Sequence, residues 1–136
     1  MKPIPDTKDS LVLRTDFASD AAWESLCREI EQPVSEFRAH VRFISDREYD
    51  SAPPEDVVTL ASLNSDRFFI FMVDAVTLSD PEHPVLVLDL RENRGSSFRV
   101  IPSEMWAVEN NLALANMDFS DFKQNARNGV FRGFGK

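Results

Sequence analysis

The chain has 136 residues, of which 43% are hydrophobic and 28% charged, and its formal net charge is −8. This length and composition suit one ordinary globular domain, which buries about two-thirds of its unfolded surface without needing disulfides or metals. Because the net charge repels phosphate backbones and anionic lipids, we expect neither a nucleic-acid partner nor a membrane partner. A thin basic stretch near the C-terminus is interpreted as a solvated end; it comprises Lys123, Arg127, Arg132 and Lys136.

Cysteine usage and apolar runs predict a protein of the reducing cytoplasm. Cys27 is the only cysteine, so no internal disulfide can form. The N-terminus has no apolar stretch typical of a signal peptide, and the longest apolar run, 68–73, is too short to cross a bilayer. Cys27 falls on the apolar stripe of a predicted helix, which indicates a buried and unreactive thiol.

The first half of the chain predicts alternating strands and helices. Residues 1–9 are polar and contain two prolines, which predicts a flexible lead-in to a single globular domain over 10–136. Ser19 is a suitable N-cap for a helix that ends before Pro33. A second helix is predicted to begin at Pro54, a residue favoured in the first helical turn. Short apolar runs predict strands at 11–13 and 41–44.

The second half predicts three strands followed by helices. The connections between these strands are too short for helical crossovers, so an antiparallel meander is expected. Ser103 is predicted to cap a third helix that Asn116 ends, and Asp118 to cap a fourth. The order β-α-β-α-β-β-β-α-α predicts a mixed α/β fold, a five-stranded mixed sheet with an antiparallel C-terminal meander and about four flanking helices. The three meander strands are predicted at 67–74, 85–90 and 97–101.

Two aspartates follow predicted strands that are candidates for parallel neighbours. Asp16 follows the first strand and Asp74 ends the third, so both carboxylates would lie at the carboxyl edge of the sheet, where open α/β sheets bind ligands. Carboxylates in such a position suit Mg²⁺, although aspartates after strands more often make local turn hydrogen bonds. Asp89 interrupts an apolar run and needs a partner if it is buried, for which the candidates are Arg14, Arg91 and Arg99.

No spacing of residues in the chain indicates catalysis or metal binding. His40 and His83 are far apart in sequence, and no zinc-ligand spacing, triad-like arrangement or glycine-rich phosphate loop is present. We therefore expect no catalytic residue, no metal and no cofactor.

An asparagine-rich segment, 108–119, is the least ordinary part of the chain. Asn110 and Asn111 are adjacent inside a predicted helix, although asparagine is a poor helix former. Either they bond to neighbouring backbone, or they form a polar binding surface together with Arg132. A functional site is expected where this helix meets the C-terminal tail, with the carboxyl edge near Asp16 as second choice.

Three blocks of the sequence carry a family resemblance that extends over 10–134. They are RTDF at 14–17, HPVLVLDL at 83–90, and ENNLALANMDF at 109–119, the last followed by GVFRGF at 129–134. In these blocks the chain resembles an uncharacterised bacterial, mostly actinobacterial, family known as a domain of unknown function. The resemblance implies a small stand-alone domain and carries no activity, cofactor or catalytic residue.

Two functions remain open at this stage. The first is a small acidic interaction protein without catalysis, an immunity-type or regulatory partner of a basic protein, acting as a monomer or homodimer. The alternative is a small enzyme or a ligand- or metal-binding domain that uses either Asp16 with Asp74 or the group Asn110, Asn111 and Arg132. The candidate binding residues are Asn110, Asn111, Asn116, Asp118, Arg132, Asp16 and Arg14.

Overall fold

The computed structural model describes residues 1–62 and 67–135, and at its centre is a six-stranded mixed sheet. The strands are β1 (Ser10–Arg14), β2 (Val41–Ile44), β3 (Phe69–Val73), β4 (Val85–Asp89), β5 (Ser97–Val100) and β6 (Val130–Phe131). They lie in the order β2-β1-β3-β4-β5-β6. The neighbours of β1 are both parallel to it, β3-β4-β5 is an antiparallel meander, and β6 is parallel to β5. The predicted mixed sheet with its meander is confirmed.

Five α-helices surround the sheet in the described part of the chain. They are α1 (Asp20–Glu31), α2 (Pro54–Ser62), α3 (Ala75–Ser79), α4 (Met105–Ala113) and α5 (Phe119–Lys123). As predicted, Ser19 caps α1, its hydroxyl accepting the Ala22 amide at 3.1 Å, and α2 begins at Pro54. The one-turn helix α3 was not predicted, because the connection that holds it is too short to show a helical period.

Both predicted ends of α4 are wrong. Ser103 is not the N-cap, because it lies inside a 3₁₀ turn, Pro102–Glu104, that leads directly into the helix. At the other end the left-handed residue is Ala115, with φ of 55°, rather than Asn116. The Asn116 amide donates to the Asn111 carbonyl at 2.9 Å, which is the hydrogen bond of a C-terminal helix cap. In this cap the left-handed residue is the one before the donor, here Ala115.

The additional strand β6 arises from a tight turn at the end of the chain. Asn128 and Gly129 both have positive φ, 52° and 78°, and Arg127 and Val130 exchange backbone hydrogen bonds across them at 3.0 Å. The turn delivers Phe131, which is fully buried, to the edge of β5. Two residues are too few to show the alternating pattern from which a strand is predicted.

The sheet is covered on both faces, which gives three layers. Residues of α1, α4 and α5 pack with alternate sheet residues such as Val12 and Phe71 on one face. Residues of α2 pack with Leu13 and Met72 on the other face, together with the fully buried Tyr49. Helix α1 connects β1 to β2, and α2 connects β2 to β3. Because β2 and β3 lie on opposite sides of β1, these two connections run in opposite directions along the sheet, and their helices cover opposite faces.

The segment 1–9 has no helix or strand but is attached to the domain. Ile4 is buried in the core beside α2, and the Tyr49 hydroxyl lies 2.8 Å from the Pro3 carbonyl. Arg67 donates to the Asp9 carbonyl at 3.0 Å. These contacts hold in place the segment that composition predicts as a flexible lead-in.

Candidate functional site

An open cleft of about 630 Å³ lies at the carboxyl ends of β1 and β3. These strands are parallel neighbours, and the chain leaves β1 toward β2 but leaves β3 toward β4, on the opposite side. Such a switch point is where open α/β sheets form ligand crevices, because the diverging connections leave a gap. We name it the switch-point cleft; it is lined by Thr15–Ala18, Arg47, Asp50–Ala52, Pro54, Met72, Asp74 and Ala75.

Asp16 and Asp74 both line this cleft, as expected if their strands are parallel neighbours. Asp16 is half-buried, and its Oδ1 accepts the Ala18 amide at 2.8 Å. This local hydrogen bond uses one carboxylate oxygen and closes the turn between β1 and α1. The second oxygen of Asp16 has no protein donor among the described residues.

Arg14 holds the loop that carries Asp16, although it does not line the cleft itself. Its side chain is only 4% exposed, and its guanidinium donates to the Asp16 carbonyl at 2.8 Å and to Asp20 Oδ1 at 2.9 Å. It also lies over the Phe17 ring, 4.2 Å from its centroid. Buried, bonded and stacked in this way, Arg14 is a positioning residue for the β1–α1 loop.

Asp74 is fully occupied by the protein. It caps α3 through the Thr77 amide at 3.1 Å and forms a bidentate pair with Arg99, at 3.0 and 2.7 Å. Burial disfavours its ionised form, but the hydrogen bonds from Arg99 and Thr77 outweigh burial and lower the pKa of Asp74. Asp74 therefore shapes the wall of the cleft and has little capacity left for a ligand.

One wall of the cleft comes from the loop 45–54, whose residues are not among the candidates named from the sequence. Tyr49 anchors this loop in the core, and the Ser51 amide donates to the Thr15 carbonyl at 2.8 Å. The loop thereby places Arg47 and Asp50 at the cleft, with the Arg47 guanidinium 5.3 Å from the centroid of Phe17. The one signal in the sequence was the run of polar residues on both sides of the buried tyrosine.

The aspartates of the cleft do not belong to a three-ligand cluster among the described residues. Among the described residues, no three His, Cys, Asp or Glu side chains are grouped closely enough to hold a metal ion. Asp16 and Asp74 share the cleft, but the Arg99 pair already balances the charge of Asp74. What the cleft offers is two carboxylates, Asp16 and Asp50, with the Arg47 guanidinium and the Phe17 ring close by.

The asparagine-rich helix and Arg132 bind different partners. Asn110 donates to the Arg38 carbonyl at 3.2 Å, and Asn111 donates within its own helix to the Ala107 carbonyl at 2.7 Å. Arg132 forms a bidentate pair with Glu82, at 2.6 and 2.8 Å. No hydrogen bond in the described part of the chain joins Arg132 to either asparagine.

The other two candidates in this segment are exposed. Asn116 takes part in the closure of α4 through its backbone amide. Asp118 is the N-cap of α5, as predicted, and its amide donates to Asp121 Oδ2 at 2.8 Å. Its negative charge raises the pKa of the neighbouring Glu92.

Two buried carboxylates are structural. Glu109, which sequence reasoning missed, is 3% exposed and accepts from Ser10 Oγ at 2.9 Å and from the His40 amide at 2.7 Å. Asp89 is 2% exposed, and the prediction of an arginine partner is wrong. The β4–β5 loop folds back over Asp89, so the carboxylate accepts backbone amides instead, those of Arg91, Glu92 and Asn93.

The basic stretch near the C-terminus is dispersed over separate partners. Lys123 bonds to Ser96 Oγ at 2.6 Å, while Arg132 pairs with Glu82, and Lys136 lies outside the described residues. Of the helices that the structure describes, none is long and apolar enough to span a membrane. Cys27 is half-buried, and burial is the main cause that raises its pKa to about 11.

The model of a family described as a domain of unknown function, DUF6924, matches residues 9–134, and the chain therefore belongs to this family. A search among curated proteins returns no match.

Proposed function

We propose that this member of the DUF6924 family is a non-catalytic binding protein whose switch-point cleft receives a basic side chain of a protein partner. The observation that supports it is that Asp16 and Asp50 line an open cleft and form no ion pair with any described residue. The net charge of −8 would draw a basic partner toward this surface.

The chemistry of the cleft favours an arginine or lysine of the partner. Asp16 uses one oxygen for the Ala18 amide, and Asp50 uses Oδ1 for the Ser51 hydroxyl at 3.3 Å. Each carboxylate can accept further hydrogen bonds, and a guanidinium carries five donors in one plane. The Phe17 ring lines the same cleft, and the Arg14 and Arg47 guanidiniums already lie 4.2 and 5.3 Å from its centroid.

A cytoplasmic, bacterial setting and a regulatory or immunity-type role belong to the same proposal. The single, half-buried Cys27 is compatible with a reducing compartment, because the fold needs no disulfide. A regulatory or immunity-type protein acts by covering a surface of its partner, for which the acidic cleft would supply one charged contact.

The test is an NMR titration of ¹⁵N-labelled protein with an arginine-rich hexapeptide at low salt. We expect amide shifts concentrated at 15–18, 50–52 and 74–75, and affinity that falls as salt is added. Asp16→Asn and Asp50→Asn should each weaken binding about tenfold, which corresponds to about 1.4 kcal/mol. Glu24→Gln is the matched control, because Glu24 is exposed on α1 and does not line the cleft.

Two outcomes would overturn the proposal. One is equal affinity for the Asp16→Asn, Asp50→Asn and Glu24→Gln variants, since binding would then follow net charge alone. The other is a set of shifts that lies away from the cleft.

A small polar ligand is the second candidate for the same cleft. Its volume of about 630 Å³ falls within the range of ligand pockets, roughly 300–1,000 Å³, and Arg47 faces the same space as the aspartates. A zwitterion would match this mixed charge. The described residues that line the cleft include no histidine or cysteine, so a catalytic version would have to use Asp16, Asp50 or Ser51. Free arginine in place of the peptide separates these candidates, because a small-ligand site would bind it as tightly as the peptide.

A further inference from the structure

Strand β2 is an edge of the sheet and leaves backbone groups unpaired. The Ser10 amide donates to the His40 carbonyl at 3.2 Å, and β1 and β2 are parallel with Ser10 opposite Val41. In a parallel ladder this register directs the backbone groups of Arg42 and Ile44 toward β1, and those of Val41 and Phe43 away from it. The described residues provide no partner for the N–H and C=O groups of Val41 and Phe43.

The edge has few of the features that natural sheets use to block strand addition. Residues 40–46 contain no proline, no glycine and no bulge, and the charged side chain within the strand is Arg42. At the opposite edge, β6 has only two residues and runs directly into the glycine-containing end of the chain. Of the two edges, β2 is therefore the one that can accept another strand.

We propose that two copies of the chain form a two-fold dimer by antiparallel pairing of their β2 strands, with Phe43 opposite Phe43 of the second copy. The two sheets would then join into one continuous twelve-stranded sheet. Phe43 of each copy would face Phe43 of the other on the side of α1, and Val41 would lie opposite Ser45 of the second copy. Phe43 already packs edge-to-face against Trp23 there, with ring centroids 5.9 Å apart. The outward amides and carbonyls of both strands would all be paired.

The side chains favour this register, and its self-complementary charges favour a second copy as the occupant. An axis at Phe43 sets Arg42 opposite Ile44 and His40 opposite Asp46, so no like charges meet. An axis at Arg42 also satisfies the outward backbone groups, but it brings two arginines face to face, which destabilises a strand pair. An axis at Ile44 leaves only that residue paired within β2, because β2 ends there and its other residues would lie opposite 45–47, of which Arg47 begins a 3₁₀ turn at Arg47–Tyr49.

Since β2 has only four residues, the dimer would bury less area than a standard interface of about 1,600 Å². The expected association is weak and depends on concentration, with a dissociation constant on the order of micromolar or higher. The pairing does not use residues that line the switch-point cleft, so it stands or falls independently of the proposed ligand.

Disulfide trapping in a Cys27→Ala background tests the register. Phe43→Cys places the new thiols on the two-fold axis, about 5.5 Å apart between Cα atoms, a distance that a disulfide can span. Oxidation at high protein concentration should convert most of this variant to a covalent dimer. Arg42→Cys and Val41→Cys are the matched controls and should cross-link at least tenfold more slowly, because neither residue faces its own copy.

Sedimentation velocity of the unmodified protein gives a second readout that does not depend on any variant. We expect the weight-average mass to rise from monomer toward dimer with concentration, and Phe43→Lys to remain monomeric with an unchanged circular dichroism spectrum. A strict monomer at several hundred micromolar, or equal cross-linking of Phe43→Cys and Arg42→Cys, would overturn the proposal. Asp16→Asn should dimerise like the wild type, which separates this result from that of the cleft.

Discussion

The two ends of β1 carry polar groups of opposite character. At the amino end, Glu109 is buried and its carboxylate accepts from Ser10 and from the His40 amide, so its hydrogen bonds lie within the protein. At the carboxyl end, Asp16 is half-buried, bonds through one oxygen to Ala18, and faces an open cleft. The Glu109 carboxylate joins α4 to the first residue of β1 and to the residue before β2, whereas the Asp16 carboxylate can still accept a hydrogen bond from an external donor.

This difference separates structural from candidate binding residues more reliably than residue type does. A buried polar group must find its partners inside the protein, and removing it leaves those partners unsatisfied. A half-exposed carboxylate with a spare oxygen costs little to remove, because water replaces its contacts. The same criterion assigns Asp74, Asp89 and Arg14 to the structural group and leaves Asp16 and Asp50 as candidates for binding.

The largest expected effect follows from this contrast. Glu109→Ala should lower the free energy of unfolding by about 3 kcal/mol, since it leaves the Ser10 hydroxyl and the His40 amide without an acceptor. Asp16→Ala should change it by less than about 1 kcal/mol, because it loses only one exposed turn hydrogen bond. Urea unfolding followed by tryptophan fluorescence measures both, and equal losses would contradict the comparison.

Arg14 should give the next largest effect although it borders the cleft loop. Arg14→Lys should cost about 2 kcal/mol, because a lysine cannot donate at once to the Asp16 carbonyl and to Asp20 while stacking on Phe17. Asp20→Asn is the control and should be nearly neutral, since its side chain is 71% exposed. If Lys fully substitutes for Arg in thermal unfolding, the buried guanidinium does not position the loop.

Much of the fold could be predicted because the deciding signals are local. Ser19 and Pro54 mark helix starts by capping chemistry and by a fixed φ, and the apolar runs of β3 and β4 mark strands buried on both faces. What failed depended on the three-dimensional arrangement. Asp89 found its partners in backbone amides of a loop that folds back, which no residue pattern specifies.

The candidate site was only half predictable for the same reason. That Asp16 and Asp74 line the same cleft follows from strand order, which the alternation of elements indicates. The ion pair between Arg99 and Asp74 could not be predicted, because it is a tertiary contact. Arg99 lies on β5, two strands away from β3, and its side chain reaches back to the Asp74 carboxylate. Similarly, Asn110 and Arg132 were grouped by polarity, but they bind Arg38 and Glu82 respectively.

Acid titration sharpens the assignment of Asp74 as structural. Its folded-state pKa lies below the ordinary value of 3.8, so the stability it contributes is present above pH 3.8 and is lost as the pH falls through the folded pKa. Asp74→Asn should therefore be about 1 kcal/mol less stable than the wild type at pH 7, and the difference should shrink below pH 3.8. Urea titrations at pH 7, 4 and 3 measure this, and a difference independent of pH would contradict it.

The smallest effects concern the adjacent asparagines, which look alike in sequence and differ in their partners. Asn110→Ala should cost about 1 kcal/mol, because Asn110 joins α4 to the Arg38 carbonyl and also donates to Glu109. Asn111→Ala should be neutral within about 0.5 kcal/mol, since its hydrogen bond stays within one helical turn and alanine is the better helix former. Each variant is the control for the other, because both remove the same amide from the same helix. If both substitutions left stability unchanged but altered the binding of a small ligand or a peptide, the asparagines would belong to a binding surface. Hydrogen bonding within the protein would then fail to distinguish structural from binding residues in this helix.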